Sequence, residues 1–237
     1  MKRFVTAFAG AVITISMAGA AMAFSGGAGI SADEALARLK EGNTRYVAGA
    51  AVTPRQDAAR RHETATGGQH PFVSVLSCAD SRVPVETVFD QGIGDVFVIR
   101  VAGNVANTDE IGTIEYGTEH LGTPLVVVLA HTKCGAVTAV VKGEHVTENI
   151  GKLVAPIVPA VASVKSRFAT DDLNELINRS IEANMWQAIA DMYAKSPLLK
   201  KMAADGKIKV VGALYDIDSG DVHWFGEHPS NANLIGK

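Results

Sequence analysis

Leu125-Val126-Val127-Val128-Leu129-Ala130 is the run that decides the fold, and His131 follows it directly. Six apolar residues, three of them β-branched, stand between the breaker Gly122-Thr123-Pro124 and a polar segment. That length suits a strand buried on both faces. Upstream, Phe72-Val73-Ser74-Val75-Leu76 and Val96-Phe97-Val98-Ile99 repeat the pattern, the second after Gly92 and Gly94. Downstream, residues 208–215 form a late strand. Residues 222–225 pair with it across Asp218-Ser219-Gly220. Helical stretches lie between these runs. Ser31 caps the first, with Glu34 completing a capping box and Leu36, Leu39 and Tyr46 on its apolar face. A single helix is expected over 109–121, another begins over 135–141, and two more cover 153–168 and 171–194. Residues 50–70 are polar, with Pro54 and Gly67-Gly68, and read either as irregular chain or as a short helix. Strands alternating with helices predict an α/β fold. Its core is a mostly parallel β-sheet flanked by helices, with an N-terminal helical arm.

The 237 residues suffice for one such domain. Apolar residues make up 47% and charged residues 20%, an ordinary globular balance. The formal net charge of −3 gives no sign of the basic surface that nucleic acid requires. Lys2 and Arg3, the apolar stretch 4–17 and Ala21-Met22-Ala23 read as a signal peptide over 1–23, cut after Ala23. The competing reading is an anchoring helix. The stretch is rich in small residues and lacks a stop-transfer flank, which favours cleavage. Residues 24–30 then form a flexible leader, and one domain covers 31–237. The expected location is periplasmic or secreted, with no stable membrane insertion after cleavage.

The chemistry gathers in two segments that leave strand ends. One is Cys78-Ala79-Asp80-Ser81-Arg82. The other is His131-Thr132-Lys133-Cys134-Gly135. In open parallel sheets, ligands bind beyond the carboxyl ends of the strands. If the two strands are neighbours, Cys78, His131 and Cys134 converge. Two thiolates and an imidazole suit Zn2+, and three protein ligands leave a fourth corner for water, as catalytic sites do. Asp80 could close that corner. Asp80 could instead be held by Arg82 and accept a hydrogen bond from a hydroxide on the metal, or the two could form only a surface ion pair. Cys78 and Cys134 are also the only two cysteines, so a disulfide competes with the metal reading.

At these residues the sequence resembles the β-class carbonic anhydrases. That family carries Cys-x-Asp-x-Arg and, some fifty residues later, His-x-x-Cys-Gly. Residues 94–104 and Ile114-Glu115-Tyr116 are similar to further family segments. The resemblance covers about 31–225 and marks 31–237 as a β-carbonic anhydrase domain. It implies reversible hydration of CO2 to bicarbonate and a proton, with one Zn2+ per chain on Cys78, His131 and Cys134. It makes Asp80 and Arg82 the catalytic dyad that orients a zinc-bound hydroxide, with Asp80 a ligand only in a closed form. It places Gln69 and the Gly103 N–H against substrate. Phe97, Ala102 and Tyr116 line an apolar pocket, in part across a dimer interface. It also implies a homodimer or tetramer, with CO2 and bicarbonate as small-molecule partners.

Relatives gated by bicarbonate have Trp three residues before the first zinc Cys. Val75 stands there instead, which points to an open zinc. The alternative activity is hydrolysis of carbon disulfide or carbonyl sulfide on the same scaffold. His62 or His120 could relay protons.

Overall fold

The structure is a computed structural model that describes residues 29–237. The expected signal peptide and residues 24–28 of the leader lie outside the described residues. Helix α1, Ala32–Val47, starts at the expected capping box: Glu34 N–H donates to Ser31 Oγ, and Ser31 N–H donates to Glu34 Oε2. The ambiguous segment 50–70 contains α2, Ala58–Gly67, capped by Asp57. Then follow β1 Val73–Ser77, the short α3 Val85–Val88, β2 Val96–Arg100, α4 Thr108–Glu115 and β3 Leu125–His131. Five helices come next: α5 Gly135–Lys142, α6 Glu148–Val154, α7 Val158–Arg167, α8 Leu173–Lys195 and α9 Pro197–Ala204. The chain closes with β4 Lys209–Tyr215, β5 Val222–Gly226 and α10 Asn231–Ile235.

The sheet order is β2-β1-β3-β4-β5. The first four strands run parallel, and β5 is antiparallel to β4. Both faces are covered, which is why the strands are continuous apolar runs rather than alternating ones. Val73, Val75, Val127 and Leu129 pack with Ala35 and Leu39 of α1 and with α3. On the other face Leu76, Val126, Val128 and Val210 pack with Ile181, Met185 and Ile189 of α8 and with α4, α5 and α9. The connection out of β1 leads to β2 on one side, and that out of β3 leads to β4 on the other. Between these two neighbouring strands the winding reverses, and a crevice opens at their carboxyl ends.

Helices α3, α9 and α10 are absent from the sequence reading, and two expected helices differ in extent. The helix expected over 109–121 is α-helical only to Glu115, and Tyr116–His120 is a π turn in which Leu121 N–H reaches Tyr116 O at 3.1 Å. The wider turn brings Gly117 onto the sheet. A Cβ there would lie 2.4 Å from Ser74 Oγ and 2.9 Å from the Phe97 ring. Residues 153–168 are not one helix, because Pro156 and Pro159 lack the N–H a helix interior needs. A 3-10 turn, Ala155–Ile157, separates α6 from α7. Helix α9, absent from the sequence reading, starts where Ser196 Oγ accepts from Leu199 N–H ahead of Pro197.

Asn43 ties the arm to the sheet. It is buried on α1; its Nδ2 donates to Val88 O and Gly220 O, and its Oδ1 accepts from Val222 N–H. Asn43→Leu strands three backbone groups. At about 1–3 kcal/mol each, the variant should lose about 3 kcal/mol or more in urea unfolding. A loss below about 1 kcal/mol would show that these bonds are not what holds the arm.

Candidate metal centre

Cys78 is the first residue past β1. The pairing of β1 with β2 continues beyond the strand ends: Val101 N–H donates to Ser77 O and Ala79 N–H donates to Val101 O, both at 3.1 Å. Arg100, the last residue of β2, then clamps the loop. Its Nε donates to Cys78 O at 3.2 Å and its Nη2 to Asp80 O at 2.7 Å. One guanidinium thus fixes the carbonyls on both sides of Ala79. In the second loop, Thr132 N–H donates to Tyr215 O and Thr132 Oγ1 accepts from Ile217 N–H, which anchors it to β4. Lys133 takes a left-handed backbone, φ +58°, and turns the chain so that Cys134 becomes the N-cap of α5.

Because β1 and β3 are parallel neighbours, the two loops meet. The ligand atoms of Cys78, His131 and Cys134 all lie within 4.8 Å of one another, and all three residues are buried. The thiols are free, so the disulfide alternative is not the state seen. Thr132 O accepts from His131 Nδ1 at 2.9 Å, which puts the ring proton there and turns the Nε2 lone pair inward. Nε2 is buried with no hydrogen-bond partner among the described residues. An orphaned nitrogen facing two buried sulfurs is the donor set of a borderline-soft dication, and it fits Zn2+. The sulfur electrostatics agree. The Cys134 thiol, with help from His131 and the N–H groups of Gly103 and Asp80, lowers the Cys78 pKa against the cost of burial. Cys134 is pushed up, because its proton serves the Cys78 thiolate and because it is buried, while the Ala136 and Val137 N–H groups of α5 partly oppose this. The two sulfurs share one proton, and both could ionise in so dry a site only with a cation between them.

Asp80 borders this set. Arg82 Nε donates to Oδ1 at 2.9 Å, Nη2 to Oδ2 at 2.7 Å, and the Arg82 N–H to Oδ1 at 3.0 Å. This fork holds the carboxyl well below the usual range. Oδ2 stands 3.9 Å from His131 Nε2, and both oxygens are engaged by Arg82. Arg82 Nη2 also reaches Lys133 O at 3.2 Å and so joins the two loops. The side chain of Asp80 is 16% exposed and that of Arg82 51%, so the pair forms the mouth of the centre.

The remaining sequence candidates spread out. Phe97 and Tyr116 neighbour one another, with ring centroids 6.0 Å apart, and Tyr116 is 48% exposed. Ala102 and Gly103 form a short turn after β2. The Gly103 N–H, expected against substrate, donates instead to Cys78 Sγ at 3.3 Å. Gln69 is exposed between α2 and β1, at the far end of that strand from Cys78. Phe72 to Cys78 is about 20 Å of extended chain, which puts Gln69 out of reach of the sulfur in its own chain. His62 and His120 are exposed and do not join the donor set. Arg100 was not singled out by the sequence reading. Its only signal there is a cation closing an apolar strand run.

A family model described as "Carbonic anhydrase" matches residues 73–222. The chain is 37% identical to "Carbonic anhydrase 2" of Mycobacterium tuberculosis, over 77% of this chain and 87% of that protein. It is 34% identical to the carbonic anhydrase of Mycolicibacterium smegmatis, over 78% and 88%. Among solved structures, a β-carbonic anhydrase of Aspergillus fumigatus superposes with a TM-score of 0.64 at 26% identity, over 86% of this chain and 94% of that one.

Arg100→Ala frees both loop carbonyls and should weaken divalent-metal binding about tenfold to hundredfold, read by competition with a chelator. Arg100→Lys, which keeps the charge but lacks the rigid two-pronged fork of the guanidinium, should recover only part of the loss. Unchanged affinity in the alanine variant would remove Arg100 from the centre.

Proposed function

This chain belongs to the β-carbonic anhydrases, and from that premise we propose that it hydrates CO2 reversibly to bicarbonate and a proton at the Cys78/His131/Cys134 centre. The observation that carries the proposal is the convergence of three buried donor atoms beside a carboxylate held back by arginine. Cys78, His131 and Cys134 would hold one Zn2+ per chain. When bound, such an ion supplies a nucleophile by lowering the pKa of water to about 7, a value taken from carbonic anhydrases themselves.

This chain's residues would supply the rest. Asp80 stays ionised at neutral pH because Arg82 pairs with both its oxygens. Its Oδ2, at the edge of the donor set, accepts a hydrogen bond from the attacking water and aims its lone pair at carbon. Arg82 keeps that carboxylate from swinging onto the metal, which favours the open form over the closed one. Val75, wholly buried in β1, occupies the position where bicarbonate-gated relatives carry Trp. Phe97, Ala102 and Tyr116 are assigned to the apolar wall that receives CO2. Gly103 serves the ligand sulfur through its N–H and lines the same wall. Gln69 sits at the wrong end of β1 for its own site, so its contact with substrate is assigned to the site of a second copy in a homodimer or tetramer. The exposed ring of Tyr116 beside the edge strand β2 suits such an interface. We also assign residues 1–23 as a signal peptide, which makes the enzyme periplasmic or secreted. Among the described residues no helix is long and apolar enough to cross a membrane. Hydrolysis of carbon disulfide or carbonyl sulfide is the second activity to assay, but no observation on this chain favours it.

The purified chain should contain one zinc and hydrate CO2 in stopped flow, lose activity to a chelator and regain it with Zn2+. A metal-free chain that ignores CO2, or one that only releases sulfide, would overturn the proposal. Asp80→Asn should keep its zinc and lose about a hundredfold or more in kcat. Cys78→Ser should lose metal and rate together. Full activity in either variant contradicts the assigned roles.

A further inference from the structure

Asn184 is one of two buried polar residues, with Ser180, on α8. The face it shares carries Ile177, Ile181, Met185, Ala188, Ile189 and Met192, all buried. Asn184 itself is 2% exposed. A carboxamide in such a place costs free energy unless it is bonded. Ser180, one turn earlier and also buried, satisfies itself within the helix by donating to Leu176 O at 2.7 Å. Asn184 reaches out of its helix instead: Nδ2 donates to Gly103 O at 2.8 Å, across 81 residues of sequence.

Gly103 is the residue whose N–H meets Cys78 Sγ. Its backbone stands at φ +76°, ψ +15°. A Cβ there would lie 2.7 Å from Ile157 Cδ1, so the turn is pressed against the 3-10 segment and has room only for glycine. Glycine has the freest backbone of any residue, and nothing in its own side chain holds the peptide. Its orientation comes from its two ends: the carbonyl is held by Asn184, and the N–H is given to the sulfur. An N–H···S bond draws charge from a thiolate and fixes the direction from which its lone pairs approach a metal.

We propose that Asn184 is a positioning residue of the metal centre. It acts through the Gly103 backbone, whose carbonyl and N–H lie in the two peptide groups flanking the Cα, to keep an N–H on the Cys78 sulfur. It touches neither substrate nor metal. This inference rests on the reading of Cys78, His131 and Cys134 as a metal site. Without the carboxamide, the Gly103 carbonyl is buried and unpaired, the turn relaxes, and the sulfur loses its donor.

The test uses the full chain loaded with Co2+, in wild type, Asn184→Leu and the control Ser180→Ala. Asn184→Leu should shift the thiolate-to-cobalt charge-transfer band and weaken Co2+ binding about tenfold to hundredfold in chelator competition. Ser180→Ala, which also removes a buried polar group from α8, should change neither. If the leucine variant does not fold, Asn184→Ala removes the carboxamide without adding bulk, and the same outcome is expected. Wild type loaded with a spin-active cadmium isotope needs no variant: the Gly103 amide proton should couple to the metal across the Cys78 sulfur. A wild-type band and affinity in the Asn184 variants, or no such coupling, would overturn the inference alone. A wild-type chain that binds neither metal would overturn the metal reading together with it.

Discussion

The parallel pairing of β1 with β3 is the constraint on which the rest depends. Ser77 lies in register with Leu129, and each strand delivers its first ligand one or two residues later. A shift of one residue in that register would turn every side chain of β1 to the other face. Cys78 would then leave His131 and Cys134. The register is held from both sides of the sheet by the burial of Val73, Val75, Leu76, Val126, Val127 and Val128. The same apolar packing that stabilises the fold therefore sets the geometry of the centre.

Around that geometry the protein arranges charge in shells. The inner one is two sulfurs and one nitrogen lone pair, a donor set that suits a soft or borderline cation. The next shell is mostly backbone. The N–H groups of Gly103, Ala136 and Val137 face the sulfurs, and Thr132 O fixes the histidine tautomer. Arg82 and Arg100 both hold Asp80. The first holds the Asp80 side chain, and the second holds the Asp80 main chain. Asp80 is thus fixed at both ends, which suits a group that must aim a hydrogen bond rather than move.

All five strands were legible as short apolar runs. The three donors were legible because each lies on, or within a turn of, a strand end. What escaped the sequence depends on distance in space. Arg100 acts on the Cys78 loop only because β2 adjoins β1. Resemblance alone places Gly103 against substrate, and its N–H here donates to a ligand sulfur. Resemblance also places Gln69 there, but the extended strand between it and Cys78 sets the two far apart in one chain. The π turn was hidden because its cause is the approach of Gly117 to Ser74, 43 positions earlier. Pro156 and Pro159 did carry their signal, and a helical reading over 153–168 passed over it.

Lys133 has a consequence for how the second loop delivers its two ligands. Two ligands separated by only two residues form a chelate, and the span of that chelate is set by the backbone between them. A side chain in the left-handed region is uncommon and held under mild strain. That bend is what allows one short loop to offer His131 from the end of a strand and Cys134 from the start of a helix, both towards the same point.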